Sequence, residues 1–285
     1  MNDHRLERLL DLAEGAGHGR VEITSPPLAH ATGTVVRMAG NGTSLIGKIH
    51  RSRTHHEHEV RAYRDWTSHL AGATPELLAG NPDLPGIVIT AVPGQPLDEL
   101  DLSPAAEHTA YHHAGRILRA LHQIPVAGTA TAVTSYLAAR AEHWIRCVTG
   151  HLTADEVQLI RDHMRQLTRL TTARVAACHL DFQPRNLLWH PEHGLRLIDF
   201  EHARIDLAAR DLIRLATRHL PDRPDLHTAF FTGYGPLSTS DRAVLTHCTA
   251  LEAATTLAYG LRHDDALLTR HARTLLDTLG APESR

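Results

Sequence analysis

The sequence predicts an α+β chain of two lobes, a small β-rich one over residues 1–92 and a larger helical one over 93–285. Three observations carry that reading. Before residue 92, apolar residues sit in short β-rich runs bounded by turn signals. After it they recur three and four apart over long stretches, the spacing of one helix face. Between the two lies PGQP, Pro93 to Pro96, a turn-forming segment at which the pattern changes. At 285 residues the chain is long enough to bury a sizeable core, and no repeat or low-complexity tail interrupts it.

The elements follow in order. Residues 28–38 and 44–49 are β-rich runs separated by Ala39-Gly40-Asn41-Gly42, a hairpin turn signal. Residues 54–70 read as a helix, with Val60, Tyr63, Trp66 and Leu70 three or four apart. A further strand, GIVITAV at 86–92, ends at the turn segment. Beyond it, Tyr111, Ala114, Leu118 and Leu121 mark one amphipathic helix; Val133, Leu137, Trp144 and Val148 mark a second. Val157, Ile160, Met164 and Leu167 mark a third. Short strands near 187–189 and 195–198 precede a last helical stretch.

Composition excludes several classes. A net charge of −3 and a pI near 6.8 leave no basic footprint for nucleic acid. No apolar run approaches ~18 residues, so no membrane-spanning helix is expected. The start, MNDHRLERLLDLAEG, is charged throughout and does not read as a secretory leader, so a cytoplasmic location is expected. Cys147, Cys178 and Cys248 are scattered and odd in number, which suits neither a disulfide framework nor a metal spacing. The 29 basic residues comprise 28 arginines and one lysine, Lys48. A lysine that stands alone among arginines marks a place where a compact ammonium does what a planar guanidinium does not.

The chemistry is concentrated in CHLDFQPRNLLWHPEHGLRLIDFEHAR, Cys178 to Arg204. Phosphoryl transfer from ATP needs a carboxylate to take a hydroxyl proton, oxygen ligands for magnesium and cations against the phosphates. Asp181 and Asn186 lie five residues apart on one loop and can converge on a transferred group. Asp199 follows the apolar strand LRLI, where a strand end presents a carboxylate to a hard cation. Upstream, Lys48 lies in the strand SLIGKIH and Glu59 on the next helix, a pair suited to neutralising phosphates. In HATGT, His30 to Thr34, Gly33 lets backbone amides approach a phosphate. His179 reads as a structural histidine holding the loop backbone, and Cys178 as packing. HHEHE, His55 to Glu59, reads as a solvated face around one inward glutamate. Glu201 and His202 either line the acceptor pocket or close the turn.

From about residue 28 to 215 the chain resembles the aminoglycoside phosphotransferase family, small-molecule kinases with a protein-kinase-like fold. The resemblance is strongest at HLDFQPRN, similar to the family's HxDxxxxN loop, and at IDFEHAR, similar to its metal-binding segment. It implies that Asp181 is the catalytic base and that Asn186 and Asp199 are magnesium ligands. Lys48 and Glu59 match the strand lysine and helix glutamate, and Thr32, Gly33 and Thr34 the nucleotide loop. PGQPL resembles the family's hinge, implying adenine contacts from the backbone of Thr90 and Val92. ALHQIP and ARDLIRL resemble further family segments, the second placing Asp211 as support for the catalytic loop. Two departures stand out: the GxGxxG of protein kinases is missing, and Arg185 stands where a small residue is usual, in reach of phosphate or substrate. The absence of an APE-like run after Asp199 argues against a protein substrate.

The expected activity is therefore ATP-dependent O-phosphorylation of a small molecule, an antibiotic or related natural product, in resistance or self-protection. GTP in place of ATP, and a monomer or a homodimer, are equally compatible with the sequence. An amino-alcohol or sugar kinase of the same fold is the alternative, with a nucleotide-binding pseudokinase behind it. Residues 201–285 hold eleven acids against ten arginines, and 131–170 four against five. That near-neutral balance predicts an acceptor that is not strongly cationic.

Overall fold

The computed structural model describes residues 3–29 and 32–281; His30 and Ala31 of the HATGT loop lie outside them. The chain opens with α1 (Asp3–Ala13), then β1 (Val21–Ile23), β2 (Leu28–Ala29), β3 (Gly33–Gly40) and β4 (Thr43–His50). Next come α2 (Arg53–Asp65), β5 (Leu77–Asn81), β6 (Gly86–Thr90) and β7 (Gln95–Pro96). Helices α3 (Pro104–His122), α4 (Ala130–Cys147) and α5 (Ala154–Thr168) follow. Four short strands come after them: β8 (Val175–Cys178), β9 (Leu187–His190), β10 (Gly194–Leu197) and β11 (Arg204–Leu207). The chain closes with α6 (Pro224–Tyr234), α7 (Thr239–Arg262) and α8 (Ala266–Gly280). No described helix is long and apolar enough to cross a membrane.

An antiparallel sheet in the order β1-β3-β4-β6-β5, with β2 paired to β3, makes the β-rich part. Its β3–β4 hairpin turns at Asn41 and Gly42, whose φ angles of 49° and 75° are those the Asn-Gly turn signal specifies. Register from Gly40↔Thr43 to Gly33↔His50 then follows from the turn. One face of the sheet packs on α1 through Leu9, Ala13, Val36, Met38, Leu45 and Ile49, all buried. The first third thus holds two helices rather than the one expected. Leu6, Leu9, Leu10 and Ala13 carry the additional helix at its ordinary spacing, among charged neighbours.

Two compact units result. The first comprises Met1–Ile124, His179–Arg204 and Asp225–Tyr234; the second Pro125–Cys178, Ile205–Pro224 and Gly235–Arg285. The first unit therefore runs past the Pro/Gly segment and takes in the whole HLDFQPRN…IDFEHA stretch. It also holds a small sheet in the order β10-β9-β7. In the second unit β8 pairs with β11, and α4, α5, α7 and α8 close over Leu137, Ile160, Leu167, Leu207, Leu251 and Leu276. Helix α5 begins with a reciprocal Thr153–Glu156 capping box, which satisfies two amides at its start. Cys178 and Cys248 are buried and Cys147 is exposed.

Candidate active site

Strand geometry makes the first half of the site. Residues two apart on β4 share a face, so Ile46, Lys48 and His50 point one way while Leu45 and Ile49 enter the core against α1. Helix α2 starts at Ser52, whose hydroxyl accepts from the His55 amide, and turns His56, Glu59, Ala62 and Tyr63 inward. Glu59 thereby reaches Lys48, with Oε2 at 2.9 Å from Nζ. The same ammonium meets Asp199 Oδ1 at 2.5 Å and Glu201 Oε2 at 2.8 Å. Three carboxylates surround the ammonium, which donates its hydrogen bond to Asp199 and pairs with the others by charge. Burial alone would push the Lys48 ammonium down; Glu59, Asp199 and Glu201 outweigh it and hold it well above the ordinary lysine value. Burial likewise pushes Glu59 and Asp199 up, and Lys48 outweighs it, so both stay ionised below the ordinary carboxyl range. His50, Glu59 and Glu201 offer ligand atoms within 4.8 Å of one another, a spacing that would admit a metal. The Lys48 ammonium already lies between the two carboxylates and serves as their cation.

The second half grows from a hairpin. Strands β9 and β10 pair with Leu187 opposite Leu197, and the Ile198 amide donates to the Asn186 carbonyl at 3.1 Å. Asn186 and Asp199 therefore emerge side by side from one end of the hairpin. Asp199 adopts the left-handed region at φ 68°, which Asp tolerates better than most residues. The preceding loop closes on Asp181, which is 1% exposed. Asn186 Nδ2 donates to Asp181 Oδ2 and to its backbone carbonyl, both at 2.8 Å. Gln183 Nε2 donates to Oδ1 at 2.6 Å, and the Arg185 guanidinium to Oδ2 at 2.9 Å. His179 Nε2 donates to the Ile198 carbonyl at 2.9 Å, and Nδ1 accepts from the Asp181 amide at 3.2 Å. One imidazole thus ties the loop to the Asp199 strand. With its amide nitrogen given to Asp181, Asn186 keeps its side-chain carbonyl oxygen as a ligand atom. That oxygen and the Asp199 carboxylate are hard donors of the kind magnesium takes.

The remaining expected residues fall into place less completely. Gly33 lies where a Cβ would come within 2.4 Å of the Ile49 carbonyl, so β4 itself requires a glycine there. The Thr32 carbonyl accepts from Arg51, and Thr34 pairs with Ala29 and Ile49. The Thr90 amide donates to the Glu76 carbonyl at 3.0 Å, and its hydroxyl oxygen accepts from the Glu76 amide at 2.9 Å. Val92 follows just beyond β6. Asp211 is buried in the second unit. The solvated-face reading of HHEHE is corrected: His56 is buried, bonding the Gly86 carbonyl, and His55 and His58 are half-buried against the turn at 200–202. The His55 ring packs edge-on against His202 at 4.9 Å, and burial, then His202, lowers its pKa. Glu201 and Gln183 are the site members whose placing the sequence left open or missed. Their signals were present: Glu201 lies two residues past Asp199, and Gln183 two past Asp181.

The comparisons with known proteins agree with this geometry. A family model described as the phosphotransferase enzyme family, APH, matches residues 26–246. Among solved structures, the chain is similar to a choline/ethanolamine kinase family protein from Mesorhizobium loti: TM-score 0.66, 21% identity, 99% of this chain and 95% of that one covered. It is similar to the macrolide 2'-phosphotransferase MphH from Brachybacterium faecium, with TM-score 0.59, 18% identity, and 99% and 100% covered. It is also similar to the phosphotransferase of a gentamicin–APH(2")-IIa complex, with TM-score 0.69, 14% identity, and 99% and 97% covered. The kinase-like fold is common to all of them. No curated protein matches the chain in sequence.

Proposed function

This chain belongs to the APH phosphotransferase enzyme family and acts on a hydroxyl of a small molecule; from that premise we propose that ATP is its donor and a hydroxylated antibiotic or related natural product its acceptor. The observation that carries this reading is the meeting of Lys48 with Glu59 and Asp199, opposite an Asp181 held by Asn186. Phosphoryl transfer passes through a loose transition state, so positioning and charge do most of the catalysis. Asp181 orients the acceptor hydroxyl and takes its proton; Gln183, Arg185 and Asn186 fix its carboxylate. Lys48 neutralises phosphate oxygens while Glu59 holds its ammonium. Since three carboxylates crowd that ammonium, one must give way to phosphate. Asp199, 32% exposed at its side chain against 1% for Glu59 and 4% for Glu201, is the partner that leaves. Asn186 and Asp199 would hold magnesium, which supplies charge neutralisation on the phosphates when bound. Thr32, Gly33, Thr34, Thr90 and Val92 belong to the nucleotide side in this reading.

The acceptor is not strongly cationic. Beyond the near-neutral composition, the Arg185 guanidinium, 59% exposed, stands beside the base and would repel an ammonium placed next to the reacting hydroxyl. A second reading, a metabolic kinase for an amino alcohol or sugar, is favoured by the likeness to the choline/ethanolamine kinase family protein. The deciding experiment is ATP consumption with magnesium across a panel of macrolides, nucleoside antibiotics, aminoglycosides, choline, ethanolamine and sugars. Turnover of a neutral antibiotic supports the proposal. Turnover confined to choline or ethanolamine moves the assignment to the second reading.

A further inference from the structure

We propose that His50 is a positioning residue for phosphoryl transfer, a buried imidazole clamp that fixes Glu59 and through it the Lys48 ammonium. The inference rests on the kinase reading above for its consequence, but on the buried geometry for its existence. His50 lies two residues after Lys48 on β4, hence on the same face, and its side chain is completely buried. Its Nε2 lies 2.6 Å from Glu59 Oε2, the oxygen that also binds Lys48, and its Nδ1 lies 3.1 Å from the Pro85 carbonyl.

Two acceptors thus face the two ring nitrogens. At 2.6 Å a proton must lie between Nε2 and Oε2, because two lone pairs at that distance repel. Lys48 on the same oxygen keeps Glu59 ionised, so Nε2 is the donor of that bond. Anchored at Nε2 and lodged against the Pro85 carbonyl, the fully buried ring has little freedom to turn. The other charged or titratable groups around it are Lys48 on its own strand, His55 and His56 on α2, the Arg5 guanidinium on its backbone carbonyl, and Glu201, whose carboxylate lies within 4.8 Å. Of the two carboxylates, Glu59 is the one at hydrogen-bonding distance from the ring. Glu59 without His50 would keep only the flexible lysine as its partner, and the ammonium would lose its fixed reference when Asp199 departs.

The test is a double-mutant cycle read as the dissociation constant for Mg·ATP, with the full chain as His50→Gln, Glu59→Gln and both together. His50→Gln should weaken Mg·ATP binding on the order of tenfold, the scale of a lost charge-assisted hydrogen bond. In the Glu59→Gln background the same change should cost nothing further, because the residue it acts through is already gone. Unchanged affinity in the single variant, or the same loss in both backgrounds, overturns the clamp. Nitrogen-15 NMR of the imidazole-labelled protein provides a readout that needs no nucleotide. An Nε2 proton of one buried imidazole, shifted far downfield by a short hydrogen bond to a carboxylate and lost in Glu59→Gln, is expected; its absence from the wild type overturns the proposal. A wild type that fails to bind Mg·ATP contradicts the kinase reading, and the NMR result then decides the clamp by itself.

Discussion

Lys48 is the residue on which the proposed nucleotide site turns, and its surroundings say what replacing it does. Three carboxylate oxygens lie within 2.9 Å of a single nitrogen. A guanidinium is longer and planar and cannot present three donors to one point. Lys48→Arg should therefore keep the charge and the fold but raise the KM for ATP by about tenfold or more, a factor that corresponds to about 1.4 kcal/mol. Unchanged ATP kinetics in that variant would return the lone lysine to chance. Lys48, Glu59, Asp181, Asn186 and Asp199 were legible in the sequence because their types are few and their spacing is set by one strand, one helix and one loop. His50 was not, because among 24 histidines its type carries no signal; its position two after Lys48 does. Gln183 was hidden for a similar reason, a neutral amide in a loop that drew attention to its carboxylate.

The β3–β4 pair sets the Lys48 face, and its glycine is the element's weak point. A side chain at Gly33 would meet the Ile49 carbonyl, which is held by the sheet and cannot turn aside. Gly33→Ala should destabilise the chain by about 1 to 3 kcal/mol, the range of an overpacked site. It should lower the melting temperature even without nucleotide. A variant with wild-type melting and weakened ATP binding would make the glycine a phosphate-loop residue alone. The long amphipathic helices and the Asn-Gly hairpin were readable because each announces itself within its own segment. Strands β1, β5, β8 and β11 were not, since runs of three to five residues are stabilised by their partners rather than by local pattern. The single helix expected over 54–70 ends at Asp65 and continues as a 3-10 turn from Thr67 to Leu70, with Trp66 and Leu70 still buried as the spacing indicated.

The chain as a whole should be sensitive to mild acid. Burial lowers the pKa of His55, His56, His58, His113, His163, His202, His247 and His271. A histidine kept neutral in the fold binds fewer protons there than in the unfolded chain, whose value is near 6.5. Stability is then full above about pH 6.5 and declines as pH falls through that value toward the folded ones. Melting temperature should fall steadily from pH 7.5 to 5.5, above the range in which carboxylates titrate. A flat profile over that interval would show that these rings take up protons without loss of packing.

The account stands on Asp181 as the base, and its replacement by Asn keeps the shape while removing the charge. Positioned acid–base groups contribute roughly 10²- to 10⁴-fold, or about 3 to 5 kcal/mol of barrier, and the loose transition state favours the lower end. With an acceptor that the wild type phosphorylates, transfer of the labelled γ-phosphoryl group from Mg·ATP is measured for both proteins. Asp181→Asn should lose about 10²-fold in kcat with little change in ATP affinity. A variant that keeps its kcat at saturation and loses ATP binding instead would place Asp181 among the nucleotide ligands and contradict the assignment.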